Sequence, residues 1–404
     1  MKSGWAIKKL GELGTIVRGK GIRRNETGDR GLPCIRYGEI YTSYNYILDC
    51  PHSFVSKDVF ARCPKIKEGD VVFTLTGENK DEIAKALAYL GKDEIAAGGD
   101  LAIWSKHGCD PKFLAYMMYA PKLIEAKARA SNGDIIVHAS VKKMQEIDIP
   151  LPPLSEQKRI VAKIDAAFEK IDKLKANAER NLANAKDLFQ SALDEAMRPK
   201  DGWVEKRLGE VCSKIGSGAT PKGGRNSYRA DGISLIRSMN VYDHAFKYDE
   251  LAHINEVQAK LLENVAIEQD DVLINITGAS VARCCVVPND VLPARVNQHV
   301  SILRIANRKV LEPDFLCYSL ITKECKVRLL GIGEAGSTRQ ALTKSDLQSF
   351  TISMPMIIEQ RQIVNRLDIL AEKTKLLEQN YTRQIADCAE MRQAVLREAF
   401  EGRL

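Results

Sequence analysis

Hydrophobic and polar positions alternate in two registers along the chain, and each register appears twice. From the start to about residue 150 apolar residues come in short runs such as Asp70-Val71-Val72-Phe73-Thr74-Leu75, broken by Gly-rich turns and by short helical patterns such as Pro111 to Tyr119. Runs of that length and β-branched content predict strands, so this stretch reads as a mixed α+β domain. Pro150, Pro152 and Pro153 end it, with Ser155 a candidate helix cap and Glu156 in the first turn. A helical period then runs through Ile160, Ile164, Ala167, Ile171, Leu174 and Ala178, and after a shift of seam through Leu182, Ala185, Phe189, Ala192 and Ala196. The strand-rich pattern resumes near residue 200, including Val300-Ser301-Ile302-Leu303-Arg304-Ile305, and stops at Pro355. A second helical period follows, through Ile363, Leu367, Leu370, Thr374, Leu377 and Tyr381, then Cys388, Met391 and Val395, with a cap expected near Ile358 and Glu359 in the first turn.

Both helical runs lack Gly and Pro until Pro199 and Gly402. A helix of about 40 residues is roughly 60 Å long and needs a partner for its narrow apolar seam. The other copy supplies one, and a pseudo-two-fold relation between tandem copies would make the pair antiparallel.

The copies are legible residue by residue. Gly4-Trp5 and Leu10-Gly11-Glu12 recur as Gly202-Trp203 and Leu208-Gly209-Glu210, an offset of 198. At offset 201 Ile35-Arg36 recurs as Ile236-Arg237, and Asp70 through Gly77 as Asp271 through Gly278. Pro111, Phe113-Leu114 and Tyr116 match Pro313, Phe315-Leu316 and Tyr318, and Ile149, Pro152, Glu156-Gln157 and Ile160-Val161 match Ile352, Pro355, Glu359-Gln360 and Ile363-Val364. Matches that keep their order while the offset drifts only from 198 to 203 mark an internal duplication. The layout read from it is a domain over 1–152, a spacer helix over 153–199, a second domain over 200–355 and a second helix over 356–404.

Composition narrows the class. The 404 residues, 45% hydrophobic and 28% charged, exceed one ordinary core and exclude a disordered chain. No apolar run reaches the ~18–20 residues of a membrane span, and the opening Met1-Lys2-Ser3-Gly4-Trp5 lacks the apolar stretch of a secretory signal, so the expected location is the cytoplasm. Ten cysteines without C-x-x-C spacing read as buried thiols rather than disulfides or zinc ligands. The net charge of +7 is local: Arg18, Lys20, Arg23 and Arg24 have no acid among them, and neither do Lys214, Lys222, Arg225 and Arg229. Such patches suit a polyanion, and solvated surface loops are the plainer alternative.

Several catalytic signatures fail on context. Gly331-Ile332-Gly333-Glu334-Ala335-Gly336 spells a dinucleotide motif but follows a helical stretch. Gly14 to Lys20 matches a phosphate loop, but Gly21 stands where a hydroxyl is needed. Asp70, Glu78 and Lys80 imitate a metal-dependent nuclease, yet the repeat keeps only Asp271 and has Ala279 and Ser280, so the shared Asp reads as a turn residue. The six histidines show no metal-ligand spacing. No catalytic or metal residue is assigned.

Ile149-Pro150-Leu151-Pro152-Pro153-Leu154-Ser155-Glu156-Gln157 with Ile160-Val161, and Gly216-Ser217-Gly218-Ala219-Thr220-Pro221, resemble the specificity subunits of type I restriction-modification systems. Ile236-Arg237 with Asn240, Asn275 to Gly278, and Asn297-Gln298-His299-Val300 look like landmarks of the same family. In the first unit Gly14 to Gly21 lacks the Thr-Pro step, and nothing near residue 95 matches Asn-Gln-His. The resemblance implies two target-recognition domains, each reading half of a split double-stranded DNA sequence. Two long helices would space them and dock two methyltransferase subunits and, through those, restriction subunits. S-adenosylmethionine, ATP and magnesium would belong to the partners, with no cofactor in this chain.

From the residues themselves, phosphate contacts are expected from Lys20, Arg23, Arg24, Lys214 and Lys222. Base contacts are expected from Arg36, Asn79 and Asn132 in the first domain and from Arg225, Arg237, Asn240 and Arg339 in the second. For Arg36 and Arg237 a structural salt bridge common to both domains is an equal reading, and His138 and Gln340 lie in loops that face either DNA or the helix base. The alternative to DNA recognition is a coiled-coil interaction scaffold with incidental basic loops. A nuclease built on Asp70, Glu78 and Lys80 is the third reading.

Overall fold

A computed structural model of the chain describes residues 5–133, 136–221, 223–334 and 341–404, and side chains there apart from those of Arg225 and Asn226. The chain divides into two units, Met1–Glu179 with Thr382–Leu404, and Arg180–Tyr381. Each unit therefore holds one strand-rich domain, the start of the long helix that follows it, and the far end of the other long helix.

In the first unit a five-stranded sheet runs in the order Thr15–Arg18, Leu101–Ser105, Val71–Thr74, Ala86–Tyr89, Ile47–Leu48, antiparallel except at the last pair. A second sheet centres on Leu32–Ile35, flanked by Ser53–Val55 and by the parallel strand Ile95–Ala97. Val71–Thr74 is buried at every position, which is why it reads as a continuous apolar run rather than an alternation. The second unit repeats this plan. Its antiparallel sheet is Cys212–Ser217, Val300–Ile305, Val272–Asn275, Cys284–Val286, and its smaller sheet sets Ile233–Ile236 between Ala252–Ile254 and the parallel Ala294–Val296. The mixed α+β class and the duplication are thus both present in the fold.

The long helices span Leu154–Ala196 and Ile357–Phe400. They begin one residue before Ser155 and Ile358, which lie inside the first turn rather than at the cap. The Pro153 carbonyl accepts Glu156 N and Gln157 N, and the Met356 carbonyl accepts Glu359 N and Gln360 N. The repeated glutamine does the tying. Gln157 Oε1 accepts Asp110 N at 2.9 Å while its Nε2 donates to Pro152 O, and Gln360 Oε1 accepts Glu312 N at 3.0 Å while its Nε2 donates to Pro355 O. Both amides are buried and anchor the helix to the loop before Pro111–Met117 or Pro313–Ile321.

Within the first unit the two helical segments run antiparallel, since Arg159 donates to Leu404 O and Arg392 pairs with Asp172. Ile160, Ile164, Phe168 and Ile171 share a core with Cys388, Leu396, Ala399 and Phe400. The seam differs from the sequence reading at several positions, among them Leu377, which is exposed, and Leu193 and Met197, which are buried where the period points to Ala192 and Ala196. Phe168 is buried against Tyr46 and Tyr116, with the Arg392 guanidinium 4.4 Å from its ring centre, whereas Leu174 and Met391 point to solvent. A large aromatic that also fills the domain face buries more apolar area than a leucine aimed only at a helix, and sets the rotation. In the second unit Leu193 and Met197 share a core with Ile363, Val364 and Leu367.

All ten cysteines are unbridged; six are buried, but Cys50 is exposed. Among the described residues no helix is long and apolar enough to cross a membrane, and no cluster of three or more His, Cys, Asp or Glu has a metal-binding arrangement.

Candidate nucleic-acid interface

Strands that end together bring their loops together. In the first unit Thr15–Arg18, Leu32–Ile35, Val71–Thr74 and Ile95–Ala97 deliver their C-terminal ends to one edge, where Lys20 N donates to Ala97 O, Gly98 N to Ile35 O and Leu75 N to Asp100 O at 2.7 Å. The second unit repeats the wiring: Gly218 N donates to Asn297 O, Asn297 N to Ile236 O and Ile276 N to His299 O at 2.9 Å. Backbones approach so closely here that a Cβ on Gly19 would lie 2.0 Å from Gly98 O, and one on Gly218 1.7 Å from Val296 O. Glycine is therefore required at both places on steric grounds. Each unit so carries a crown of four loops.

The first crown gathers several residues expected from the sequence. A cleft of about 510 Å³ is lined by Gly21, Arg24, Arg36, Tyr37, Thr42 and Asp100. Lys20, Arg23 and Arg24 are exposed on its rim segment. The Arg23 backbone N–H, with the Arg62 guanidinium, holds the Glu26 carboxyl below its usual range and so braces the basic loop. Arg36 N donates to Glu39 Oε2 at 2.7 Å, but its Nε lies 3.8 Å from that carboxylate and is buried without a hydrogen-bond partner. Across the crown, Asn132 pairs in register with His138, and His138 with Thr76. Asn132 also accepts from Lys143, while Asn79 caps a turn with Glu82.

The second crown gathers fewer. Arg237 stands where Arg36 does, its guanidinium 5.4 Å from the Tyr228 ring centre and donating to Glu250 O, and its Nε is likewise buried without a partner. The salt bridge offered as an equal reading is thus a loose 3.8 Å contact in one unit, and in the other the carbonyl of Glu250 takes its place. Asn240 is a correction. It is fully buried, with Oδ1 accepting Arg237 N and Nδ2 donating to Lys247 O and Asp249 O, so its amide braces the Arg237 loop and offers no free edge. Lys214 lies mid-strand in register with Arg304, and burial lowers its pKa beside that guanidinium. Arg304 is committed to Asp271 at the other end of Val272–Asn275, so the structure does not bring Lys214 to the crown. Lys222 and Arg339, like Gln340, lie outside the described residues, as does the side chain of Arg225.

The rejected motifs have structural explanations. Asp70 and Asp271 accept the N–H of Lys67 and Glu268 at 2.8 Å, as turn residues do. Gly331 and Gly333 lie within the helix Lys323–Glu334.

Two α+β units of one plan, each with a loop crown that holds an under-partnered arginine and each tied to long helices, define a duplicated recognition module. The family described as type I restriction modification DNA specificity domain matches residues 2–182 and again 200–385, and the chain belongs to it. It is 23% identical, over its full length and 90% of the relative, to the type I restriction enzyme StySPI specificity subunit of Salmonella potsdam. Its fold is similar, with a TM-score of 0.77 and 23% identity, to a chain in a structure described as the basis of complex assembly and conformational transition of the type I R-M system, covering 100% of this chain and 99% of that one. It is also similar, with a TM-score of 0.59 and 22% identity over 100% and 98% of the two chains, to the HsdS subunit from Thermoanaerobacter tengcongensis.

Proposed function

We propose that this chain is the sequence-specific DNA-recognition subunit of a type I restriction-modification complex and carries no catalytic centre of its own. The duplicated crown carries the reading: one strand-end wiring occurs twice, with an under-partnered arginine at the same place in each copy. Two related but unequal readers imply a bipartite, asymmetric target, one half per unit. The recognition domains are assigned to 1–152 and 200–355, and the spacer and docking helices to 153–199 and 356–404.

Lys20, Arg23 and Arg24 serve phosphates on the first unit, with Lys222 their counterpart on the second; phosphate contacts give affinity and steep salt dependence but no sequence information. Arg36, Asn79 and Asn132 on one unit, and Arg225, Arg237 and Arg339 on the other, are our assigned base-edge readers. Two methyltransferase subunits dock on the helices and bring restriction subunits with them, and S-adenosylmethionine, ATP and magnesium act in those partners.

The test is strand-resolved sequencing of methylated positions in cells that express this chain with its neighbouring methyltransferase, against cells without the chain. A split motif with a fixed unspecified gap, present only with the chain, is the expected result. Methylation unchanged without the chain, or without a split motif, would turn the reading toward an interaction scaffold.

A further inference from the structure

In each unit one threonine hydroxyl of the crown holds Nδ1 of an imidazole. Thr76 Oγ1 lies 3.1 Å from His138 Nδ1, and Thr277 Oγ1 meets His299 Nδ1. The threonines are equivalents in the repeat, but the histidines are not. His138 comes from the strand Val137–Ala139, opposite Thr76, and the position opposite Thr277 is Ala341. His299 precedes the strand Val300–Ile305, and its carbonyl accepts Ile276 N as that of Asp100 accepts Leu75 N, so its counterpart is Asp100. The same ring is delivered to the same hydroxyl by unrelated segments. Neither ring serves a core: His138 is exposed between buried Val137 and Ala139, and His299 is only half-buried.

The second unit fixes its ring further. Thr220 Oγ1 donates to Gln298 Oε1, and Gln298 Nε2 lies 3.0 Å from His299 Nε2. One proton assignment satisfies every contact: Thr220 to Gln298, the Gln298 amide to His299 Nε2, and His299 Nδ1–H to Thr277. It spends both ring nitrogens of His299 and leaves beside the ring an exposed amide whose second donor and acceptor are unspent.

We propose that His138 in the first unit and Gln298 in the second read base edges in the two half-sites, and that Thr76, Thr277 and His299 are their positioning residues. The inference rests on the DNA-reading function above. The ligand is the major-groove edge of a base pair, whose N7, carbonyl and exocyclic amine groups match an imidazole nitrogen and an amide. Contacts of this kind fall on base edges and not on phosphates, so they discriminate sequence and leave the salt dependence alone.

The experiment uses the complex of the full chain with its methyltransferase partner, reading genomic methylation and the affinity for duplexes changed at single base pairs. His138→Ala is expected to relax one position of one half-site, with discrimination falling roughly 5- to 100-fold, while the other half-site and the salt slope stay as they are. Gln298→Ala is expected to do the converse, with His299→Ala, which releases the amide, as the second variant should the first fail to fold. Thr76→Val is expected to reproduce part of the His138→Ala effect at the same position, and Thr76→Ser to restore it. A wild-type split motif untouched by the His138 and Gln298 variants overturns this inference and leaves the DNA reading standing. Uniform weakening at every position also overturns it. No split motif in the wild-type complex overturns both.

Discussion

The Tyr318 hydroxyl donates a 2.6 Å hydrogen bond to Asp368, repeating the 2.6 Å bond from Tyr116 to Asp165 that joins domain to long helix in the first unit. Around this shared joint the charges differ. The first unit sets Lys112 against Asp165, whereas the repeat places Asp314 at the position of Lys112. Burial, then the carboxylates of Asp368, Glu312 and Asp270, push the Asp314 pKa up to about 6.

A carboxyl raised in the folded state binds its proton more tightly there than in the unfolded chain. Its ionisation costs nothing below about pH 4, and the penalty grows as pH rises and is complete above about pH 6. His244, stacked on Tyr318 and 3.6 Å from Asp368, works the other way, because burial lowers its pKa and it resists charging as pH falls. Asp314→Asn isolates the first effect. It is expected to raise stability at pH 7.5 by about 1–3 kcal/mol and to have little effect at pH 4.5. Asp314→Lys, which restores the first unit's pairing, should stabilise at neutral pH as well. Denaturant midpoints at the two pH values check both, and an equal effect at each pH would rule out a raised carboxyl.

Gln157 and Gln360 give a prediction of fixed size. Each amide satisfies a backbone N–H and a backbone carbonyl that have left regular structure, so Gln157→Leu or Gln360→Leu strands both. The loss is expected to be about 2–4 kcal/mol, well above that of an exposed helix glutamine such as Gln362. Chemical denaturation monitored by far-ultraviolet circular dichroism measures it. A Gln→Glu change should cost a similar amount, since a carboxylate keeps the acceptor but loses the donor.

Lys127 yields a pH dependence of opposite sign. It is fully buried on the helix Pro121–Ala130, donates to Ala84 O at 3.2 Å, and burial lowers its pKa to about 7. A lysine lowered in the folded state destabilises while protonated. The penalty is complete below about pH 7 and is relieved as pH rises toward the ordinary value near 10.5. Lys127→Met should therefore melt a few degrees higher than the wild type at pH 6, with the advantage shrinking steadily to pH 9.5. A melting difference independent of pH would show that the ammonium does not lose its hydration on folding.

The duplication, the strand-rich domains and the long helices were legible because each leaves a periodic or repeated trace. The helix seam was legible only in part: Phe168 serves the domain face as well as the helix, and a period counted along one helix cannot weigh that second demand. Arg36 and Arg237 were legible as a pair because they follow equivalent strands. Asn240 and Lys214 were misplaced for one reason, that residue type does not reveal which way a loop turns. Asn240 turns inward onto its own backbone, and Lys214 stops in mid-strand beside Arg304, short of the strand end that reaches the crown. His138 and His299 were legible singly but not as a pair, because they hold equivalent places in space but not in the repeat.

Arg36 and Arg237 allow affinity and discrimination to be separated. Each keeps a buried Nε without a partner, so each guanidinium has unspent donors at the crown. Leaving a buried donor unpaired costs about 1–3 kcal/mol, a cost recovered when a base acceptor arrives. Arg36→Ala is expected to relax a single position in one half-site and Arg237→Ala one in the other, each by about 1–3 kcal/mol of discrimination. Lysine cannot supply the planar donor fork, so Arg36→Lys should not rescue. Lys20→Ala should instead weaken all sequences alike and lower the salt slope by about one unit. Binding measured across salt on duplexes altered in one half-site at a time tells these apart. If Arg36→Ala merely lowers the salt slope, Arg36 is a phosphate contact, and base reading in the first unit falls to Asn79, Asn132 and His138.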